Sequence, residues 1–187
     1  EIYKGVVPAS LGTDALGGAV NIITLAEKKN FMDASYSIGS FHTHRADLNA
    51  QFVEQCTGLI VRPTIGINYS KNDYRMKDVQ MRNETGDQFI YGNPKRFHDG
   101  YFSLLAQIET GITGKLWADE FFVSASYSKT DKELQTGSVQ TKVYGMAERN
   151  SDAWNVSARY YKHNFITEGM TLKATLSHTW DHSITID

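Results

Sequence analysis

Residues 45–53 read RADLNAQFV. Ala46, Leu48, Ala50 and Phe52 fall on one side of an extended chain, and Arg45, Asp47, Asn49 and Gln51 on the other. Alternation with a period of two over this length is the mark of a strand with one apolar face, and it does not fit the 3.6-residue period of a helix.

The same pattern repeats on both sides of this stretch. Upstream, Met32, Ala34, Tyr36 and Ile38 alternate with Asp33, Ser35, Ser37 and Gly39. Downstream, Leu59, Val61, Pro63, Ile65, Ile67 and Tyr69 alternate with Arg62, Thr64, Gly66, Asn68 and Ser70. Four more apolar rows follow: Phe102 to Ile112, Phe121 to Tyr127, Trp154 to Tyr160 and Met170 to Leu176. The expectation is an all-β fold, an antiparallel up-and-down meander of about seven long strands. Several runs approach about 12 residues, longer than the usual soluble strand of about 5–6 and suited to a tilted membrane strand. Tyr69, Tyr127, Tyr160 and Trp180 fall near the expected strand ends, where an interfacial aromatic girdle would sit.

Bulk composition agrees with strands and excludes little else. Mean hydropathy is −0.40, and no run approaches the roughly 18 apolar residues of a membrane helix. Alternating strands can still cross a membrane at low average hydropathy. Three prolines in 187 residues favour long uninterrupted strands. The net charge of −2, with no basic run, gives no case for nucleic acid. The single cysteine, Cys56, forms no internal disulfide. No nucleophile elbow, phosphate-binding loop or paired-cysteine motif is present, so no catalytic residue is expected.

The expected connections are short at 41–44 and 56–58, long at 72–97, short at 113–119, medium at 135–140 and short at 163–169. The second, fourth and sixth are short and share one end of the meander. Bacterial barrels have short turns at one end and longer loops at the other. The long segment mixes Tyr74, Arg75, Arg82, Tyr91 and Arg96 with acidic residues, and is the candidate ligand-binding loop. His42 and His44, two apart, and His178 and His182 are the remaining metal candidates, though a wet sheet rim is the simpler reading and no metal or cofactor is expected. Arg45, Asp47, Arg62, Glu109, Arg159 and Lys173 lie on the polar faces and would line a lumen.

The first 24 residues, EIYKGVVPASLGTDALGGAVNIIT, carry a different signal. Gly5, Gly12, Gly17 and Gly18, followed by Asn21 through Thr24, resemble the closing stretch of the plug domain of TonB-dependent outer-membrane receptors. The Leu16-Gly17-Gly18 and Asn-Ile-Ile-Thr elements resemble the siderophore or vitamin type more than the starch-utilisation type. The resemblance implies a division into residues 1–26, the end of a plug, and 27–187, the first strands of a transmembrane β-barrel of about 22 strands. It further implies an outer-membrane location in a Gram-negative bacterium and contact with outer-membrane lipid. The implied function is import of an iron-siderophore complex, haem or cobalamin, powered by the TonB coupling protein through an N-terminal part outside this chain. Two other readings stay open: a β-structured binding domain whose apolar faces pack together in water, and a passive porin.

Overall fold

A computed structural model describes residues 29–136 and 141–186, together with the backbone of two three-residue strands. These two are β1 (Ile2–Lys4) and β2 (Gly18–Val20), which pair antiparallel with Ile2 opposite Val20. The chain continues through β3 (Phe31–Gly39), β4 (Thr43–Glu54), β5 (Leu59–Ser70), β6 (Val79–Arg82), β7 (Phe89–Gly92), β8 (Tyr101–Thr113), β9 (Glu120–Glu133), β10 (Glu148–His163) and β11 (Thr171–Ile186). The described residues contain strands, turns and bends and no helix.

Seven strands form one antiparallel sheet in the order β11-β10-β9-β8-β5-β4-β3. Every sheet neighbour is therefore the next long strand along the chain, as a meander requires. All seven strands expected from alternation are present, and all seven are at least as long as expected. β10 begins at Glu148 rather than near Trp154, and β11 runs on to Ile186. The extension of β10 is polar or charged apart from Ala153, and in β11 His178 and His182 interrupt the apolar row that Trp180, Ile184 and Ile186 continue. Tyr127 and Trp180 consequently lie inside their strands rather than near the ends.

The register keeps the faces consistent. Ala34 pairs with Leu48, Leu48 with Ile65, Ile65 with Ala106, Ala106 with Tyr127, Tyr127 with Trp154 and Trp154 with Trp180. Directly opposed residues share a face, so one apolar row crosses all seven strands. Slipping any strand by one residue would exchange its two faces.

The connections sort by end. The turns at 55–58, 114–119 and 164–170 are short and lie at what we call the near end. The segments 40–42, 71–100 and 134–147 lie at the far end. Gly58, at φ 72° in the first near-end turn, has no room for a side chain: a Cβ would collide with the Thr113 carbonyl. That close approach lets Thr113 N donate to Gly58 O at 2.9 Å and ties the first near-end turn to the end of β8.

The interior is small. The buried apolar residues among those described are Ala50, Ile60, Ala118, Phe122 and Ala147. The total accessible surface is 13455 Å², against about 9,000 Å² for a compact soluble monomer of this mass. No second layer covers either face of the sheet among the described residues.

Candidate functional site

The apolar face is the first candidate surface. Met32 is 72% exposed, Ile38 70% and Leu176 75%, and Tyr36, Phe52, Ile108, Trp154 and Trp180 are each more than half exposed or close to it. Aromatic groups collect toward both borders of this face. Toward the far end, the Tyr36 hydroxyl meets His44 Nδ1 at 2.7 Å, His44 lies 6.2 Å from the Tyr69 ring, and Tyr127 packs on Trp154 at 4.7 Å. At the near end, Trp117 lies 5.6 Å from Phe121 and stacks on Tyr160 at 6.5 Å, while the Tyr160 hydroxyl donates to the Trp117 carbonyl at 2.5 Å. Trp117 was invisible to the alternation pattern because it sits in a turn, beside Leu116, which is 98% exposed.

The polar face is the second. Glu109 on β8 holds Arg62 of β5 at 2.6 Å and Arg159 of β10 at 3.3 Å. Arg62 Nε also donates to Gln51 Oε1 at 2.7 Å, and Gln51 Nε2 donates to the Lys29 carbonyl at 2.8 Å. Arg45 donates to Asn68 at 2.7 Å. Ser124 and Ser157 bond across β9 and β10 at 2.7 Å. Cross-strand pairs of this kind are the sheet's own stabilising unit.

The far end is the third. The long segment expected to be a loop contains a hairpin, β6 paired with β7. Its strands are four residues each, and Asn83 through Gln88 close the tip, with Asp87 bonded to Asn83 and Thr85. Those bonds, with the Asp87 backbone amide, hold the Asp87 carboxyl below its ordinary pKa, Thr85 contributing most. The base of the segment is fastened to the sheet. Gln135 Oε1 accepts from the Phe97 amide at 2.8 Å, and His98 Nε2 meets the Ala147 carbonyl at 3.1 Å. Lys132 pairs with Asp99 at 2.7 Å, and Lys95 with Asp73 at 2.8 Å. The Lys95 ammonium is the main cause of a lowered pKa at Asp73.

The five loop residues expected to bind ligand divide into two pairs and a lone arginine. Tyr74 and Arg96 meet each other, Arg96 Nη1 donating to the Tyr74 hydroxyl at 3.1 Å with the guanidinium 5.6 Å over the ring. Arg96 Nε lies 3.1 Å from Asp99 but without hydrogen-bond alignment, so the contact is an ion pair only. This pair is half of the loop's anchor. Arg82 and Tyr91 lie on one exposed face of the hairpin, Arg82 over the Phe89 ring at 5.1 Å. Arg75 bonds to the Asn93 carbonyl at 3.2 Å.

The histidines are not assembled. His42 lies in the 40–42 turn at φ 57°, off the strand, so it does not share a strand face with His44. His178 packs edge-on to Trp180 at 4.2 Å, and His182 faces Asp152 at 3.5 Å. No group of three or more metal-ligating side chains occurs among the described residues. Of the glycine-rich opening motif, Gly18 begins β2; Gly5, Gly12, Gly17, Asn21 and Thr24 lie outside the described residues. No protein family, no curated protein and no solved structure matches the chain.

Proposed function

We propose that the chain forms part of the wall of a transmembrane β-barrel in the outer membrane of a Gram-negative bacterium, in a receptor of the TonB-dependent type. The receptor would import a scarce nutrient such as an iron-siderophore complex, haem or cobalamin, with lipid against the apolar face and water against the polar one. The observation that carries the membrane reading is the apolar face, exposed across a seven-strand sheet and edged by aromatic groups. The receptor reading rests additionally on the plug-like opening sequence.

The borders of that face support the reading as well. On the far side Tyr69 faces Phe102, and Tyr127, Trp154 and Trp180 share one row four residues closer to the near end. On the near side Leu59, Ile112, Phe121 and Tyr160 share one row. At the tilt of outer-membrane barrels, about 35–45°, the ten residues from Leu59 to Tyr69 span about 23–27 Å in height, against a lipid-facing band about 25 Å tall.

The far end, with the two long connections 71–100 and 134–147 and the short turn 40–42, then faces outside, and the three near-end turns face the periplasm. A water-soluble binding domain would need a second layer over the apolar face. A passive porin leaves the opening motif without a role.

Two experiments separate the parts. Trp154 and Trp180 fluorescence in vesicles should be quenched by lipids brominated on the acyl chains; a protein released by high salt with unquenched tryptophans would end the membrane reading. Uptake of radiolabelled iron-siderophore or cobalamin by cells carrying the full receptor should stop when TonB is deleted. Uptake that persists would point to a porin.

A further inference from the structure

The polar face carries a platform that the transport reading does not require. Phe122, on β9, is 4% exposed although it faces the polar side. Its seat is Gly111 on β8, directly opposite in register, where any Cβ would collide with the ring. Two guanidiniums lie on this ring: Arg62 at 5.0 Å and Arg159 at 5.3 Å from its centroid. Both also grip Glu109, whose side chain is only 17% exposed. Gln51, 4% exposed, fixes Arg62 from the other side.

Two positive charges thus share one carboxylate. Arg62 uses Nε and Nη1, and Arg159 uses Nη2. The remaining donors, Arg62 Nη2 and Arg159 Nε and Nη1, take no partner among the described residues. Arg159 is 52% exposed. The nearby charges on this face are Lys173, whose ammonium lies 5.6 Å over the Tyr161 ring, and Glu120, opposite Tyr161 in register. They cancel, leaving the excess at the arginines. The ring stacking and the Gln51 and Glu109 bonds hold the two forks in place before any ligand arrives, which lowers the ordering cost of binding. A planar fork of this kind matches the two oxygens of a carboxylate or phosphate.

We propose that Arg62 and Arg159 on the Phe122 platform form a binding point for an oxyanion, a carboxylate or phosphate group, on a solute at the polar face. The proposal rests on the reading of that face as water-lined, and names an anionic group as the feature of the solute recognised there.

The test is isothermal titration of the full chain in detergent micelles at low ionic strength, with citrate in one arm and inorganic phosphate in the other. The proposal expects saturable binding of at least one, weakened about tenfold or more in Arg159→Gln, as loss of a charge-assisted bond implies. Arg159→Lys should fall between, because it keeps the charge and loses the fork. Arg149→Gln, which removes the same charge at the far end of β10, should bind as the unaltered protein does. Equal binding in Arg159→Gln and Arg149→Gln would overturn the proposal, and so would no binding by an unaltered protein. Acyl-chain quenching of Trp154 in the same variants reports separately on the membrane reading, so each can fail alone.

Discussion

Replacing Leu176 by arginine puts lipid and water in direct opposition. Leu176 is 75% exposed on edge strand β11. In water, a charge at such a position changes stability by no more than about 0.5 kcal/mol. In a bilayer the result depends on depth. Leu176 lies four residues from Trp180 and six from Met170 along the strand, so at a tilt of about 35° it sits about 11 Å below the Trp180 border, close to the middle of the band. Arginine at the midplane of such a barrel costs about 2–4 kcal/mol, a roughly 30- to 900-fold change in the folding equilibrium. Trp180→Arg, at the border, should lose only about 0–1 kcal/mol of the lipid term. Ser177→Arg, next door on the polar face, should stay within about 0.5 kcal/mol. The assay is reversible denaturant unfolding in phosphatidylcholine vesicles, followed by tryptophan fluorescence, with Trp154 as reporter in the Trp180 variant. Equal stabilities for Leu176→Arg and Ser177→Arg would refute the assignment of the apolar face to lipid. A protein cover would instead give a Leu176→Arg cost that does not change with acyl-chain length.

Three further outcomes test the parts that hold the sheet and its loops. Asp119 accepts from the His163 amide at 2.6 Å and from Lys162 at 3.0 Å, and these bonds, the His163 amide foremost, hold its carboxyl below the ordinary value. A depressed folded-state pKa contributes stability above the unfolded value that is lost as pH falls through the folded one, so the unfolding midpoint of the unaltered protein should drop below about pH 4 and Asp119→Asn should flatten that drop. Gly111→Ala should destabilise by about 1–3 kcal/mol through overpacking against Phe122, measured by denaturant midpoint, and pairing it with Phe122→Ala should recover part of the loss. Gln135→Ala should remove the bond to the Phe97 amide, at about 0.5–1.5 kcal/mol for one part-buried hydrogen bond, and should raise the rate of limited proteolysis within 71–100 while the rest of the sheet stays resistant.

The meander was legible because each strand carries its own period, and a period of two is local information. Arg45 to Val53 gave β4, and six other rows gave their strands the same way. The strand ends were not legible: apart from Ala153 the residues that extend β10 are polar or charged, and in β11 His178 and His182 interrupt the apolar row that Trp180, Ile184 and Ile186 continue. The hairpin β6–β7 was missed for a related reason: four-residue strands are too short to display a period, and Asn83 and Asp87 close its tip through side-chain bonds that composition does not reveal. At the candidate loop, residue type suggested binding for Tyr74 and Arg96, yet their charges and rings are spent on each other and on Asp99. Arg82 and Tyr91 carry the same kinds of groups and remain on an exposed face. Which of two similar arginines is an anchor depends on long-range contacts such as Lys132 with Asp99, and those are fixed only by register.

The two borders of the apolar face bear on each other more strongly than either does alone. On the near side Leu59, Ile112, Phe121 and Tyr160 occupy one register row across four strands. On the far side Tyr69 faces Phe102, while Tyr127, Trp154 and Trp180 share a second row four residues closer to the near end. Beyond the second row the same face turns polar, with Lys129 and Asp131 on β9 and Asp152 and Asn150 on β10. An apolar band closed at both ends by aromatic or large aliphatic groups, with charges only outside it, is what a strand crossing from water through lipid to water requires. A sheet that merely lacked a partner in water would have no reason to confine its charges on that face to one side of an aromatic row. The two-sided limit, rather than the amount of exposed apolar surface, is the stronger ground for reading the face as lipid-facing.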